Sequence, residues 1–224
     1  MDFNMMQHIR QINHAWKRCF VRLKRIGSGK GFGIQSPSAF RFVTGVVNAH
    51  HPADSYPFLR DCDKAMSSRQ RNLFLLYARM AKDREAAEVW NIGVPSDTFR
   101  HYMAAACDSA LYRQIEVKAR MVFPVDGTLL IRLSHACIDQ QLCRQLVETA
   151  PTHTILVLED IYLTPQALQC WQWITQQPQT GDSFDLFDCG IIFFQKNLCK
   201  NHYRVNIKNK TYHENQQSLY EDRR

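Results

Sequence analysis

Residues 88–99, Glu-Val-Trp-Asn-Ile-Gly-Val-Pro-Ser-Asp-Thr-Phe, set a buried apolar strand against a break at Gly93 and a helix capped near Ser96 or Asp97. A strand that passes to a helix through glycine opens a βα unit, which points to an α/β sheet with parallel strands. In nucleotide-binding turns of this shape several glycines let the backbone approach the ligand, and an acid further on takes the ribose hydroxyls. Here a single glycine stands between Asn91 and Pro95.

The remaining segments follow the same alternation. Ser36-Pro37 reads as an N-cap with proline at the first helical position, opening a helix through Phe40, Val43, Val46 and Val47 that ends near His50-His51-Pro52. Residues 63–82 carry Leu73, Leu76, Tyr77 and Met80 on one helical face, ahead of the strand at 87–92. A helix at 97–107 comes next, then a short polar interval. Met121–Val125 and Thr128–Leu133 read as strands, Ile138–Thr149 as a helix and His153–Glu159 as a buried strand. Thr164-Pro165 starts a helix to about Gln176, Phe184–Phe187 and Ile191–Gln195 form a hairpin, and His202–Ile207 alternates like a last strand. Strands alternating with helices and ending in paired strands predict a mostly parallel sheet with an antiparallel edge.

A chain of 224 residues suits one sizeable core. Its charge is uneven. Of the net +7, residues 1–30 carry +6, from Arg10, Lys17, Arg18, Arg22, Lys24, Arg25 and Lys30 against Asp2, so the body is nearly neutral. A near-neutral body gives no broad basic face for nucleic acid. Within 4–26, Met5, Ile9, Ile12, Trp16, Cys19, Leu23 and Ile26 recur at helical spacing, giving an amphipathic helix. Packing on its own domain or a dimer mate, an anionic membrane surface and phosphate contact are the readings open to it. Gly27–Gly33 has four glycines but neither a preceding strand nor phosphate-loop spacing, and reads as a linker. The predicted organisation is a basic helix and linker at 1–30, an α/β domain at 31–208 and a polar tail at 209–224. No apolar run approaches the roughly 18 residues of a membrane span, and the basic N-terminus lacks an apolar stretch and cleavage site behind it, which together predict a cytoplasmic protein. The eight cysteines are scattered without metal-like or disulfide-like spacing, so buried reduced thiols are expected and no metal site.

Gly33-Ile34-Gln35-Ser36-Pro37, Asn91-Ile92-Gly93, Ile155–Ile161 with its Glu159-Asp160 pair, and Asp185-Leu186-Phe187-Asp188 resemble, in order, the segments of a group of bacterial class I S-adenosylmethionine-dependent methyltransferases. The likeness covers most of residues 30–207. It implies a three-layer Rossmann-like methyltransferase sheet, shortened and preceded by N-terminal helices, with S-adenosylmethionine as cofactor. Carried over position by position, it assigns the cofactor to Asn91, Gly93, Ser96, Asp97 and Glu159, and acid-base work to His135 and Asp160. Asn91 stands where the family has an acid, Asp97 falls near a loop glycine, and Arg132 replaces a carboxylate in Ile131-Arg132-Leu133-Ser134-His135. Arg132 would repel both a sulfonium and a divalent metal. The 13 residues between Cys107 and Met121 leave Glu116 as the acid for the ribose, and a βα unit is shortened or lost.

Glu159 and Asp160 end a buried strand, where open α/β sheets bind ligands. They read either as ligand-contacting carboxylates with Tyr162 as a nearby wall, or as N-caps of the next helix together with Thr164. His135 reads as a base or as a structural or surface imidazole. Trp171, Trp173, Phe184, Phe187, Phe193 and Phe194 read as core.

Three functions follow as expectations. The first is a methyltransferase-like domain with a degenerate cofactor site and a binding or scaffold role, as a homodimer or beside a partner enzyme. The second is a working methyltransferase on a small molecule. The third is a nucleic-acid or membrane-surface adaptor acting through residues 4–30.

Overall fold

A computed structural model describes residues 34–49, 66–117, 121–195 and 200–207. The expected basic helix at 4–26, the glycine linker and the polar tail lie outside the described residues.

The chain starts with α1 (Pro37–Phe42), which runs into a π-helical turn at Val43–Val47. It continues through α2 (Ser68–Asp83), β1 (Ala86–Ile92), α3 (Asp97–Ala106), β2 (Leu111–Ile115), β3 (Thr128–Leu133), α4 (Gln140–Thr149), β4 (Thr154–Glu159), α5 (Pro165–Gln176), β5 (Thr180–Asp185), β6 (Cys189–Phe194) and β7 (His202–Arg204). The helix starts follow from local chemistry. The hydroxyls of Ser36, Ser67, Ser96 and Thr164 and the carboxylate of Asp139 each accept from the backbone N–H three residues on, satisfying a donor that the first turn leaves unpaired.

The seven strands form one sheet in the order β2-β1-β3-β4-β6-β5-β7. Only β6 runs antiparallel to its neighbours, between β4 and β5 towards one end of the sheet. Helices cover both faces. α1, α2 and α3 pack on one face, against Val89, Leu130, Val157 and Ile191, and α4 and α5 on the other, against Ile92, Ile131, Leu156 and Ile192. This is a three-layer, Rossmann-like α/β arrangement with a mostly parallel sheet. Among the described residues, no helix is long and apolar enough to cross a membrane.

Gly190 marks the closest approach on the α5 face. A Cβ added there would lie 2.3 Å from the Trp171 ring, so the indole of α5 lies directly on the β6 backbone. Trp171, Phe184, Phe187, Phe193 and Phe194 are buried core, as expected, and Trp173 packs at its margin.

Three expectations need correction. The interval after α3 contains a strand, Leu111–Ile115, which pairs in parallel with β1. Met121–Val125 is not a strand. It is part of the connection into β3, and it covers the sheet with Phe123, stacked on Trp90 at 4.9 Å. Finally, the first half of the hairpin is Thr180–Asp185 rather than Phe184–Phe187, because Leu186–Asp188 makes the turn.

The chain leaves β1 through α3 towards β2 at one end of the sheet, then returns to β3 on the other side of β1 and builds outward from there. The topological switch point therefore falls between β1 and β3, and the crevice at their carboxyl ends is where open α/β sheets hold ligands.

Candidate functional site

Side chains alternate between faces along a strand. On the α2 and α3 face, β1 runs Val89 then Asn91, β3 runs Leu130 then Arg132, and β4 runs Val157 then Glu159. Three adjacent parallel strands thus exchange an apolar residue for a polar one at the carboxyl edge beside the switch point, Asn91 level with Arg132 and Glu159 two residues beyond Val157, the β4 residue opposite Arg132.

These three side chains form one network. Arg132 donates from Nε to Glu159 Oε1 at 2.8 Å and from Nη2 to Oε2 at 2.9 Å, a two-pronged pairing, and from Nη1 to Asn91 Oδ1 at 2.6 Å. Asn91 in turn donates to Gln114 Oε1 at 2.7 Å and to the Val94 carbonyl at 3.2 Å, while Gln114 Nε2 donates to the Gly93 carbonyl at 2.8 Å. The guanidinium carbon lies 5.3 Å from the Phe74 ring centre and 5.0 Å from that of Phe99, so α2 and α3 roof the cation with aromatic faces. Arg132 is only 6% exposed and Asn91 not at all. A buried charge persists only when it is paired and hydrogen-bonded, and here both conditions are met.

Deeper in, Tyr77 Oη donates to Glu159 Oε1 at 3.4 Å. Burial holds the Tyr77 phenol well above its ordinary range, reinforced by Cys189 and Glu159. Burial and the nearby Asp188 do the same to the Cys189 thiol. Both groups are neutral at physiological pH.

A second cluster lies at the rim. Arg69, in the first turn of α2, pairs with Asp160 Oδ1 and donates from Nε to Asp188 Oδ1 at 3.0 Å. Burial alone would lower the Arg69 pKa, but these two carboxylates outweigh it and raise the value. His135 Nδ1 stands 3.7 Å from Asp160 Oδ2 with its ring half exposed. Tyr162 Oη donates to Asp185 Oδ2 at 2.5 Å and its ring stacks on Phe187. Asp160 takes a left-handed backbone, φ +54°, fixed by the hydrogen bond from its N–H to the Asp188 carbonyl at 2.8 Å.

The expected site residues therefore divide. Asn91 and Glu159 meet in the Arg132 network. Asp160 and His135 meet at the rim, beside Arg69. Ser96 caps α3 by accepting from Phe99 N–H at 3.1 Å, and Asp97 is an exposed first-turn residue of that helix. Gly93 has φ +133°, and a Cβ there would lie 2.5 Å from Ser134 Cβ, so its bare backbone is used against the β3 exit. Of the reading of Glu159, Asp160 and Thr164 as caps of α5, Thr164 is the N-cap, accepting from the Ala167 N–H, while the carboxylates of Glu159 and Asp160 pair with Arg132 and Arg69. Glu116 directly follows β2 and is exposed. Among the described residues, no three His, Cys, Asp or Glu side chains gather in a way that would hold a metal ion.

Sequence reasoning missed Arg69, Gln114, Phe74 and Phe99. Their partners lie tens of residues away in the chain, and only Asp188, inside the Asp-Leu-Phe-Asp segment, carried a signal. No family model matches the chain, and no curated protein is similar to it at a significant level.

Proposed function

We propose that this chain is a methyltransferase-like α/β domain whose cofactor edge is closed by its own Arg132, and that it acts as a binding or scaffold module. One observation carries the reading. The guanidinium of Arg132 lies at the switch point, bound to both Glu159 oxygens and to Asn91.

The residues at this edge do not fit a sulfonium nucleoside. A fixed cation repels the sulfonium most strongly where water is excluded. The Glu159 carboxylate and the Asn91 amide, the polar groups that such a ligand needs, are engaged by the protein. Gly93, whose backbone a nucleotide would approach, is packed on Ser134 and its carbonyl is taken by Gln114. Opening the edge would cost the buried pair its partner, on the order of 3–5 kcal/mol.

The β2 edge of the sheet, next to β1, supports the binding role. Among the described residues no strand pairs with the outer side of β2, whose Leu111 is exposed, and Val122 and Val125 in the connection into β3 are exposed as well, Val125 at 93%. An open strand edge that carries an exposed apolar residue suits a second protein chain, whether a copy of this one or a partner enzyme.

The test is calorimetric titration of the purified chain with S-adenosylmethionine, joined to native mass spectrometry of the protein as purified. No heat of binding and no co-purified nucleoside are expected. Micromolar affinity, or the cofactor bound in the mass spectrum, overturns the proposal in favour of a working methyltransferase.

A further inference from the structure

Arg132 is held like a ligand. Its charged head lies between a carboxylate that takes two parallel N–H bonds, an amide oxygen that takes a third, and two aromatic rings whose centres are 5.2 Å apart. The parts of this cage come from four other elements, Phe74 from α2, Asn91 from β1, Phe99 from α3 and Glu159 from β4. Each is fixed independently of Arg132. Asn91 is anchored by Val94 and Gln114, Glu159 receives Tyr77, and both rings are fully buried in the core. A cage whose walls are held from outside keeps its shape when its occupant is shortened.

We propose that Glu159, Asn91, Phe74 and Phe99 form a binding site for a small planar cation of the guanidinium class, and that the Arg132 side chain is its tethered occupant. The parallel pairing with Glu159 selects a flat fork of N–H donors over a compact ammonium. The rings select a weakly hydrated, delocalised charge. In the unaltered chain an added guanidinium competes with a tethered one, whose effective concentration is on the order of millimolar or above, so the site is closed to it. Shortening Arg132 removes the competitor and leaves an unpaired buried carboxylate that attracts a replacement.

The inference shares its edge with the proposed function and rests on the premise that Arg132 closes that edge. The two fail separately. Cofactor binding by the unaltered chain counts against the earlier reading, whereas the present test never uses the cofactor and is decided by methylguanidinium binding.

The experiment compares the full chain with Arg132→Ala, titrating methylguanidinium far below denaturing concentrations against matched sodium chloride. Arg132→Ala is expected to bind methylguanidinium saturably, about ten-fold or more tighter than the unaltered chain, equivalent to about 1.4 kcal/mol. Its thermal midpoint should rise with occupancy. Adding Glu159→Gln should abolish both effects, and methylammonium should not reproduce them. Equal responses in the two chains, or a rise that sodium chloride matches, overturns the proposal. Where Arg132→Ala does not fold alone, refolding with methylguanidinium is the readout. Recovery of folded chain supports the site, and failure to recover it counts against the site.

Discussion

Arg132 stands directly opposite Asn91 in the parallel register of β1 and β3, and a 2.6 Å hydrogen bond from its Nη1 to the amide oxygen joins them. The two strands flank the switch point of the sheet, so this bond spans the crevice where a ligand of an open α/β fold would lie. With Glu159 holding the other side of the guanidinium from β4, three strand ends are tied through one side chain.

Tying strand ends with a buried ion pair has a predictable asymmetry. Arg132→Ala leaves Glu159 buried and unpaired, and should lower stability by about 3–5 kcal/mol. Replacing both partners with apolar groups, as Arg132→Met with Glu159→Leu, removes the unpaired charge along with the pair and should come within about 1–2 kcal/mol of the unaltered chain. Urea unfolding of Arg132→Ala and of the double variant, each against the unaltered chain, measures this. A loss below about 1 kcal/mol for Arg132→Ala would mean that the pair behaves as a solvated surface contact.

Alkaline pH should weaken the fold through Tyr77 and Cys189. Both are raised above their ordinary values of 10.0 and 9.0, each by burial first. A folded pKa above the unfolded one means that the unfolded chain loses its proton first as pH climbs. The stabilisation is complete below about pH 9, where both states are protonated, and is lost progressively above it. Denaturant midpoints measured from pH 7 to pH 10.5 should therefore fall above about pH 9, and Tyr77→Phe should flatten the part of that fall that begins near pH 10. Identical slopes in the two chains would remove Tyr77 from the account.

The strands most evident in the sequence are those buried on both faces. Thr128–Leu133 holds the apolar run Leu129–Ile131 and Thr154–Glu159 the run Ile155–Leu158, each followed by a charged residue, Arg132 or Glu159, and such runs suit a strand buried on both faces. Leu111–Ile115 escaped notice because it is an edge strand whose Arg113 and Gln114 are exposed, so it lacks the apolar signature. Met121–Val125 misled in the opposite direction. Only Met121 and Phe123 pack on the core, Phe123 on Trp90, while Val122 and Val125 are exposed. At the site, the strand positions of Asn91, Arg132 and Glu159 were legible, but their mutual contact was not. A sequence shows that Arg132 is positively charged without showing that Glu159, 27 positions later, takes its guanidinium at two points.

Gly93→Ala should be costly for reasons unrelated to any ligand. At φ +133° a side chain is strained, and the new Cβ meets Ser134 Cβ at 2.5 Å. The expected loss is about 1–3 kcal/mol. Adding Ser134→Gly relieves the collision but not the backbone strain, so the double variant should regain only part of the loss. Thermal unfolding of both variants reports it. Full recovery would assign the whole cost to the collision, and no recovery would assign it to the backbone.

The rim cluster should behave as a unit. Arg69 grips Asp160 and Asp188 together, so removing either carboxylate leaves the arginine with the other, and charge-assisted bonds of this kind contribute about 1.5–3 kcal/mol each. Asp188→Asn should therefore cost less in an Arg69→Gln background than in the unaltered chain, with a coupling of about 0.5–3 kcal/mol in a double-mutant cycle. Asp160 carries a further constraint, its left-handed backbone at φ +54°. Asparagine tolerates that conformation better than alanine does, so Asp160→Asn should be milder than Asp160→Ala. Additive single costs in the cycle would show that Arg69 and Asp188 are not energetically coupled, and equal costs for the two Asp160 variants would show that the backbone there is not under strain.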